Sequence, residues 1–182
     1  MQDYFDAYQS ASSPSAPSAP MHWTRPSEGL CKVNFDAALF EGSGCAGIGV
    51  AIRDSSGAII AALSQKIPLP HSVELAEALA AHRAVVFVQE ISIFKVLVEG
   101  DCLSVISALR APVGCHTLYG NIVEDTHRLA SHFQSCRFSH VQRRGNMLAH
   151  ALTKRAVSSV DFDVWVEELP LKLESVFQTN LI

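Results

Sequence analysis

Between Leu30 and Gln65 the chain carries three strand-like stretches separated only by two tight turns, and this spacing leaves few folds open. In Leu30–Asp36, the residues Leu30, Lys32, Asn34 and Asp36 alternate with Cys31, Val33 and Phe35, which is the period of a strand. Glu41–Gly44 supplies two glycines and a serine, a turn signal. Ala46–Arg53 (A-G-I-G-V-A-I-R) is a second strand, where Gly47 and Gly49 permit close backbone approach. Asp54–Gly57 is a hairpin turn and Ala58–Gln65 a third strand. Connections this short make the three strands antiparallel neighbours.

The pattern then changes period. Pro68 and Pro70 close the strands, and Ser72 is placed to cap a helix running to about Glu90. Along it Leu75, Ala76, Leu79, Ala80, Val86 and Phe87 recur at helical spacing. Lys95–Glu99 is a short buried strand; reached through a crossover helix, it lies parallel to the first. Cys102–Leu109 and Leu118–Phe133 read as helices, Cys136–Val141 as a fifth strand and Asn146–Val157 as a last helix. The order β-β-β-α-β-α-α-β-α predicts an α/β fold: a mixed five-stranded sheet with helices on both faces, over residues 21–160. Residues 161–182 read as an appendix packed on that domain. Residues 1–20, which end in A-S-S-P-S-A-P-S-A-P, read as a disordered tail or interdomain linker because they offer no apolar face to offset their ordering entropy.

Composition narrows the function. A net charge of −4 is wrong for a protein that grips nucleic acid by charge alone, but it does not oppose one that holds phosphate through metal ions. The five cysteines are scattered, without a C-x-x-C pair, so neither a zinc site nor a disulfide framework is expected. Reduced thiols point to an intracellular setting, nuclear or cytoplasmic. No secretory signal or membrane span is expected.

Three acidic residues stand where this topology converges. Asp36 lies on the first strand, Asp101 at the carboxyl end of the fourth strand beside it, and Glu77 in the helix packed above. Glu74, one turn away, is the competing inward acid on that helix. Each residue has a plainer reading: Asp101 as a helix cap after Gly100, and Glu77 as a solvated charge. Asp36 has none, because an acid amid strand residues is not simply a turn. Carboxylates gathered at one point repel unless a cation joins them, and oxygen ligands with room for water suit Mg²⁺.

Lys32–Ala38 (K-V-N-F-D-A-A), Ala76–Ala80 (A-E-A-L-A), Val98–Asp101 (V-E-G-D), Val141–Asn146 (V-Q-R-R-G-N) and Ala149–Leu152 (A-H-A-L) together resemble the ribonuclease H-type domain of plant retroelement-like proteins. The resemblance runs from about residue 23 to 178 and rests on the order and context of these motifs. It implies a ribonuclease H-like fold and metal-dependent endonucleolytic hydrolysis of the RNA strand of an RNA–DNA hybrid, with two Mg²⁺ ions. It implies Asp36, Glu77 and Asp101 as metal ligands, selecting Glu77 over Glu74. His140 matches a histidine that assists proton transfer. The fourth metal-ligand position, an aspartate in ribonucleases H, is His150 here. Imidazole removes a negative charge from the site and suits Mn²⁺ better than Mg²⁺, so His150 either completes the ligand set or hydrogen-bonds beside it. Arg143, Arg144 and Asn146 are the expected nucleic-acid contacts, within a basic cluster that includes Lys154 and Arg155. The segment Arg110–Asn121 lacks the basic helix that some ribonucleases H insert, which implies modest affinity.

Three readings follow. The chain is a hybrid-cleaving enzyme, a nucleic-acid-binding module with weakened or lost chemistry, or a protein-interaction domain. A monomer is expected.

Overall fold

The structure, a computed structural model, describes residues 21–112, 114 and 117–180. The expected tail over residues 1–20 lies outside the described residues. β1 (Cys31–Phe40), β2 (Cys45–Arg53) and β3 (Ile59–Pro68) form the antiparallel meander. Its second hairpin is tied by Asp54, whose Oδ1 accepts from the Ser56 and Ala58 amides at 2.8 and 2.9 Å. α1 (Val73–Glu90) starts at Ser72, whose Oγ accepts from the Leu75 amide at 3.1 Å. β4 (Lys95–Gly100), α2 (Leu103–Arg110), α3 (Gly120–Ala130), β5 (Ser135–His140) and α4 (Met147–Arg155) follow. β4 pairs parallel with β1, and β5 with β4.

The sheet has six strands, not five, in the order β5-β4-β1-β2-β3-β6. The added strand, β6 (Phe162–Val166), comes from the stretch read as an appendix; it pairs antiparallel with β3 from Ala61↔Val166 to Gln65↔Phe162. Its F-D-V-W-V alternation is a strand pattern in its own right. A last helix, α5 (Leu171–Asn180), folds back onto α4.

Helices cover both faces. α1 and its neighbours close the larger core over Val33, Phe35, Ile48, Val50, Ile52 and Leu63. α4 and α5 close the smaller one over Ala51, Ala62, Leu148, Leu152 and Leu173. The α4 face is unusually tight: a Cβ on Gly49 would lie 2.1 Å from the Ala149 carbonyl oxygen, and one on Gly47 2.2 Å from that of Thr153. Only glycine lets the helix backbone approach β2 this closely.

The same face of β1 buries polar residues. Lys32 pairs with Glu99 at 3.1 Å, and both are almost wholly buried. Asn34 accepts from Trp23 Nε1 at 3.0 Å and donates to Glu99 at 3.4 Å. Arg53 lies 4.4 Å from the Trp23 ring centroid and 5.4 Å from that of Phe177, and donates to Asn180 at 2.7 Å. The segment before β1 and α5 are thereby fastened to the sheet by cation–π and hydrogen-bond contacts rather than by apolar packing alone. Among the described residues no helix is long and apolar enough to cross a membrane.

Candidate active site

β1 runs on to Phe40, but its ladder with β4 is limited to Cys31–Asn34. With Asn34 opposite Glu99, Asp36 comes level with Asp101, just past the end of β4 at Gly100. β1 therefore has an unpaired edge at Asp36, and there α1 delivers Glu77. Carboxylate oxygens of Asp36, Glu77 and Asp101 all lie within 4.8 Å of one another. Glu74 stands on the exposed side of α1, whereas Glu77 is buried.

The electrostatics are those of a crowded acidic pocket. Asp36 is 1% exposed and Glu77 4%. Burial pushes the Asp36 carboxyl up to about 7; the charge of Asp101 adds to the rise and Arg143 opposes it. Burial, followed by the charges of Asp36 and Asp101, pushes Glu77 up to about 9. Asp36 Oδ1 and Glu77 Oε2 are buried without a hydrogen-bond partner. Two orphaned carboxylate oxygens, an all-oxygen donor set and mutual repulsion are what a hard divalent cation relieves, so these residues fit one.

The shifts carry a stability consequence. Both acids have folded-state values above their ordinary 3.8 and 4.5. Below those ordinary values the native and unfolded chains are equally protonated at these groups. As pH rises, the unfolded chain ionises first, so stability falls through the window that ends near 7 for Asp36 and 9 for Glu77. Thermal melts in chelator are expected to drop steadily from about pH 5 to pH 9, and added Mn²⁺ is expected to flatten the decline.

His150 is on α4, and its Nδ1 lies 2.7 Å from Asp36 Oδ2. Burial holds its pKa below the ordinary value, and the charges of Arg143 and Lys154 add to the effect. The ring and Asp36 Oδ2 share one short hydrogen bond. The ring is not one of the carboxylate donors that converge. Arg143 Nη2 is 3.0 Å from both ring nitrogens, which sets the guanidinium against the ring rather than in line with either lone pair. Arg143 Nη1 also reaches Asp101 Oδ2 at 3.5 Å. His140 ends β5, and its Nε2 sits 3.1 Å from the Asp101 carbonyl oxygen, at the rim of the pocket.

One expected contact is corrected, and the basic cluster is narrowed. Asn146 is buried at 1% exposure, and its Nδ2 donates to the Phe35 carbonyl at 2.8 Å. It fastens the start of α4 to β1 and is not available to a nucleic acid. In the basic cluster, Arg155 is turned toward β6, 3.8 Å from Asp163 and 5.0 Å from the Trp165 centroid. Arg143 and Arg144 remain exposed. The Arg143–Asp101 contact was missed from sequence, because nothing in R-R-G-N says which arginine turns inward.

A family model described as reverse transcriptase-like matches residues 34–156, which include every residue of the pocket. None of the curated proteins compared matches the chain. Solved structures share the fold. Ribonuclease H1 from the halophilic archaeon Halobacterium salinarum NRC-1 superposes with a TM-score of 0.65 at 22% identity, covering 71% of this chain and 98% of its own. The N-terminal ribonuclease H domain of rv2228c from Mycobacterium tuberculosis gives 0.61 at 20%, covering 71% and 94%. LC11-RNase H1, solved in complex with an RNA/DNA hybrid, gives 0.62 at 20%, covering 70% and 96%. The fold is thus ribonuclease H-like.

Proposed function

The chain belongs to the reverse transcriptase-like family, and from that premise we propose that it is a metal-dependent ribonuclease that cuts the RNA strand of an RNA–DNA hybrid. The observation that carries this reading is the meeting of Asp36, Glu77 and Asp101, with two of their buried oxygens left without a partner. These three residues would hold two Mg²⁺ ions, or Mn²⁺. When bound, the ions supply Lewis-acid activation of water and of the phosphodiester.

The chain's own groups do the rest. The carboxylates hold charge at one point, at the unpaired edge of β1. His150 keeps Asp36 Oδ2 oriented through its Nδ1. His140, at the rim beside Asp101, is placed to pass a proton to the departing strand. Arg143 and Arg144 face solvent and neutralise phosphates of the hybrid. A monomer made of one unit that includes β6 and α5 completes the reading.

A second reading has its own support. The fourth corner is an imidazole bonded to Asp36, and a guanidinium leans on Asp101. Both reduce the pocket's negative charge, as in a binding module with weakened chemistry. A substrate panel separates the two: hybrid, duplex RNA, duplex DNA and single-stranded RNA, each labelled, with Mg²⁺ or Mn²⁺. The enzyme reading expects cleavage of the hybrid's RNA strand, faster with Mn²⁺, and a gain with Mg²⁺ in His150→Asp. Hybrid binding without cleavage in either protein selects the binding module. Absence of hybrid binding at low salt removes both.

A further inference from the structure

Asp36, His150, Arg143 and Asp101 form a chain of contacts at the mouth of the acidic pocket. Asp36 meets His150 at 2.7 Å, His150 meets Arg143 at 3.0 Å, and Arg143 meets Asp101 at 3.5 Å. Arg143 is the one member that is mostly in solvent, at 65% side-chain exposure, and the one with a long flexible stem. Asp101 is nearly buried, at 11%. The guanidinium therefore neutralises an inward-facing carboxylate from outside, at the place a divalent cation must reach.

We infer that Arg143 is a surrogate cation for this centre: it holds Asp101 in the metal-free protein, must release it when a divalent cation binds, and then offers its guanidinium to the incoming phosphate. The inference rests on the cation-centre reading above and adds a competition to it. A guanidinium cannot enter a site built for a compact ion, so its hold on Asp101 is one-sided and reversible. Its only ion-pair partner among the described residues is Asp101, and its other contact is the His150 ring. Once freed, it stands beside His150 and next to exposed Arg144 on the face open to substrate. One side chain thus weakens cation binding and strengthens hybrid binding, two effects of opposite sign from a single charge.

That opposition is the test. Mn²⁺ is titrated calorimetrically into wild type, Arg143→Ala, Arg143→Lys and Arg144→Ala, with melts in chelator to verify folding. Arg143→Ala is expected to bind Mn²⁺ about fivefold more tightly, the scale of one exposed ion pair. Arg143→Lys, which keeps the charge, should stay close to wild type. Arg144→Ala removes the same charge one residue away and should change Mn²⁺ affinity by less than about twofold. With Ca²⁺ in place of Mn²⁺, Arg143→Ala should bind labelled hybrid more weakly than wild type. Unchanged or weaker Mn²⁺ affinity in Arg143→Ala overturns the inference, and so does an equal gain in Arg144→Ala. If wild type and all variants fail to bind Mn²⁺, the cation centre falls and this inference with it.

Discussion

Asp36→Asn is expected to abolish cleavage of a labelled hybrid while yielding a metal-free protein that melts higher than wild type. Asparagine is nearly isosteric, and its amide can still bond His150, which sits 2.7 Å from Asp36 Oδ2. What it removes is the charge that bridges Glu77 and Asp101. Losing an electrostatic contribution of about 4 kcal/mol lowers a rate on the order of a thousandfold. The same change relieves repulsion in a pocket where Asp36 is pushed up to about 7 and Glu77 to about 9. Near pH 8 the gain in stability is about 1–2 kcal/mol, or roughly 2–4 °C for each kcal/mol at this chain length. Opposite signs for activity and stability mark a functional carboxylate; a merely structural acid would lose both together. Melting curves in chelator, run beside the cleavage assay, check it.

The second large effect is expected at a residue that carries no side chain. Gly49 lies opposite Asp36 in the β1–β2 register, and Gly47 opposite Ala38. A Cβ at Gly49 would meet the Ala149 carbonyl oxygen at 2.1 Å and the Leu152 Cβ at 2.8 Å. Both are parts of α4 that cannot swing aside as a flexible side chain does. Gly49→Ala must therefore push the helix off the sheet, at a cost of about 3 kcal/mol, the upper range for overpacking. The melting temperature should fall by about 6–12 °C. His150 follows Ala149 on that helix, so its bond to Asp36 is lost as well. Cleavage should then fall by more than the unfolded fraction accounts for. Urea denaturation and cleavage, both measured well below the new melting temperature, test the link.

These two positions show how far sequence alone reaches. The three-stranded meander, the crossover helix and the parallel fourth strand were legible, because turn residues and changes in apolar period mark each boundary. The meeting of Asp36, Glu77 and Asp101 was legible too, since strand order places two of the acids and the resemblance selected the third. β6 was not, because its alternation lies between a short 3-10 turn and Pro170, and Trp165 drew the stretch toward a packing role. Asn146 was misread for a different reason: the motif does not show that the side chain is buried with its Nδ2 donating to the Phe35 carbonyl. The Lys32–Glu99 pair and the buried Arg53 were likewise invisible, since only the α4–α5 layer and Trp23 reveal that this face of the sheet is covered.

His150 stands between these cases. Its position was readable, but its role depends on whether the ring orients Asp36 or joins a cation. The bond to Asp36 Oδ2 and its place outside the converging carboxylates favour orientation. Under that role, His150→Ala should weaken cleavage much less than Asp36→Asn.

The most direct test is a single-turnover cleavage time course on an end-labelled RNA–DNA hybrid. Wild type and Asp36→Asn are stripped with chelator, assayed, and assayed again after Mg²⁺ or Mn²⁺ is restored. Metal-dependent hydrolysis at Asp36 predicts no cutting by either protein in chelator, recovery of RNA-strand cleavage by wild type on metal addition, and none by Asp36→Asn. Cleavage that persists in chelator, that survives in Asp36→Asn, or that never appears in metal-loaded wild type would contradict it.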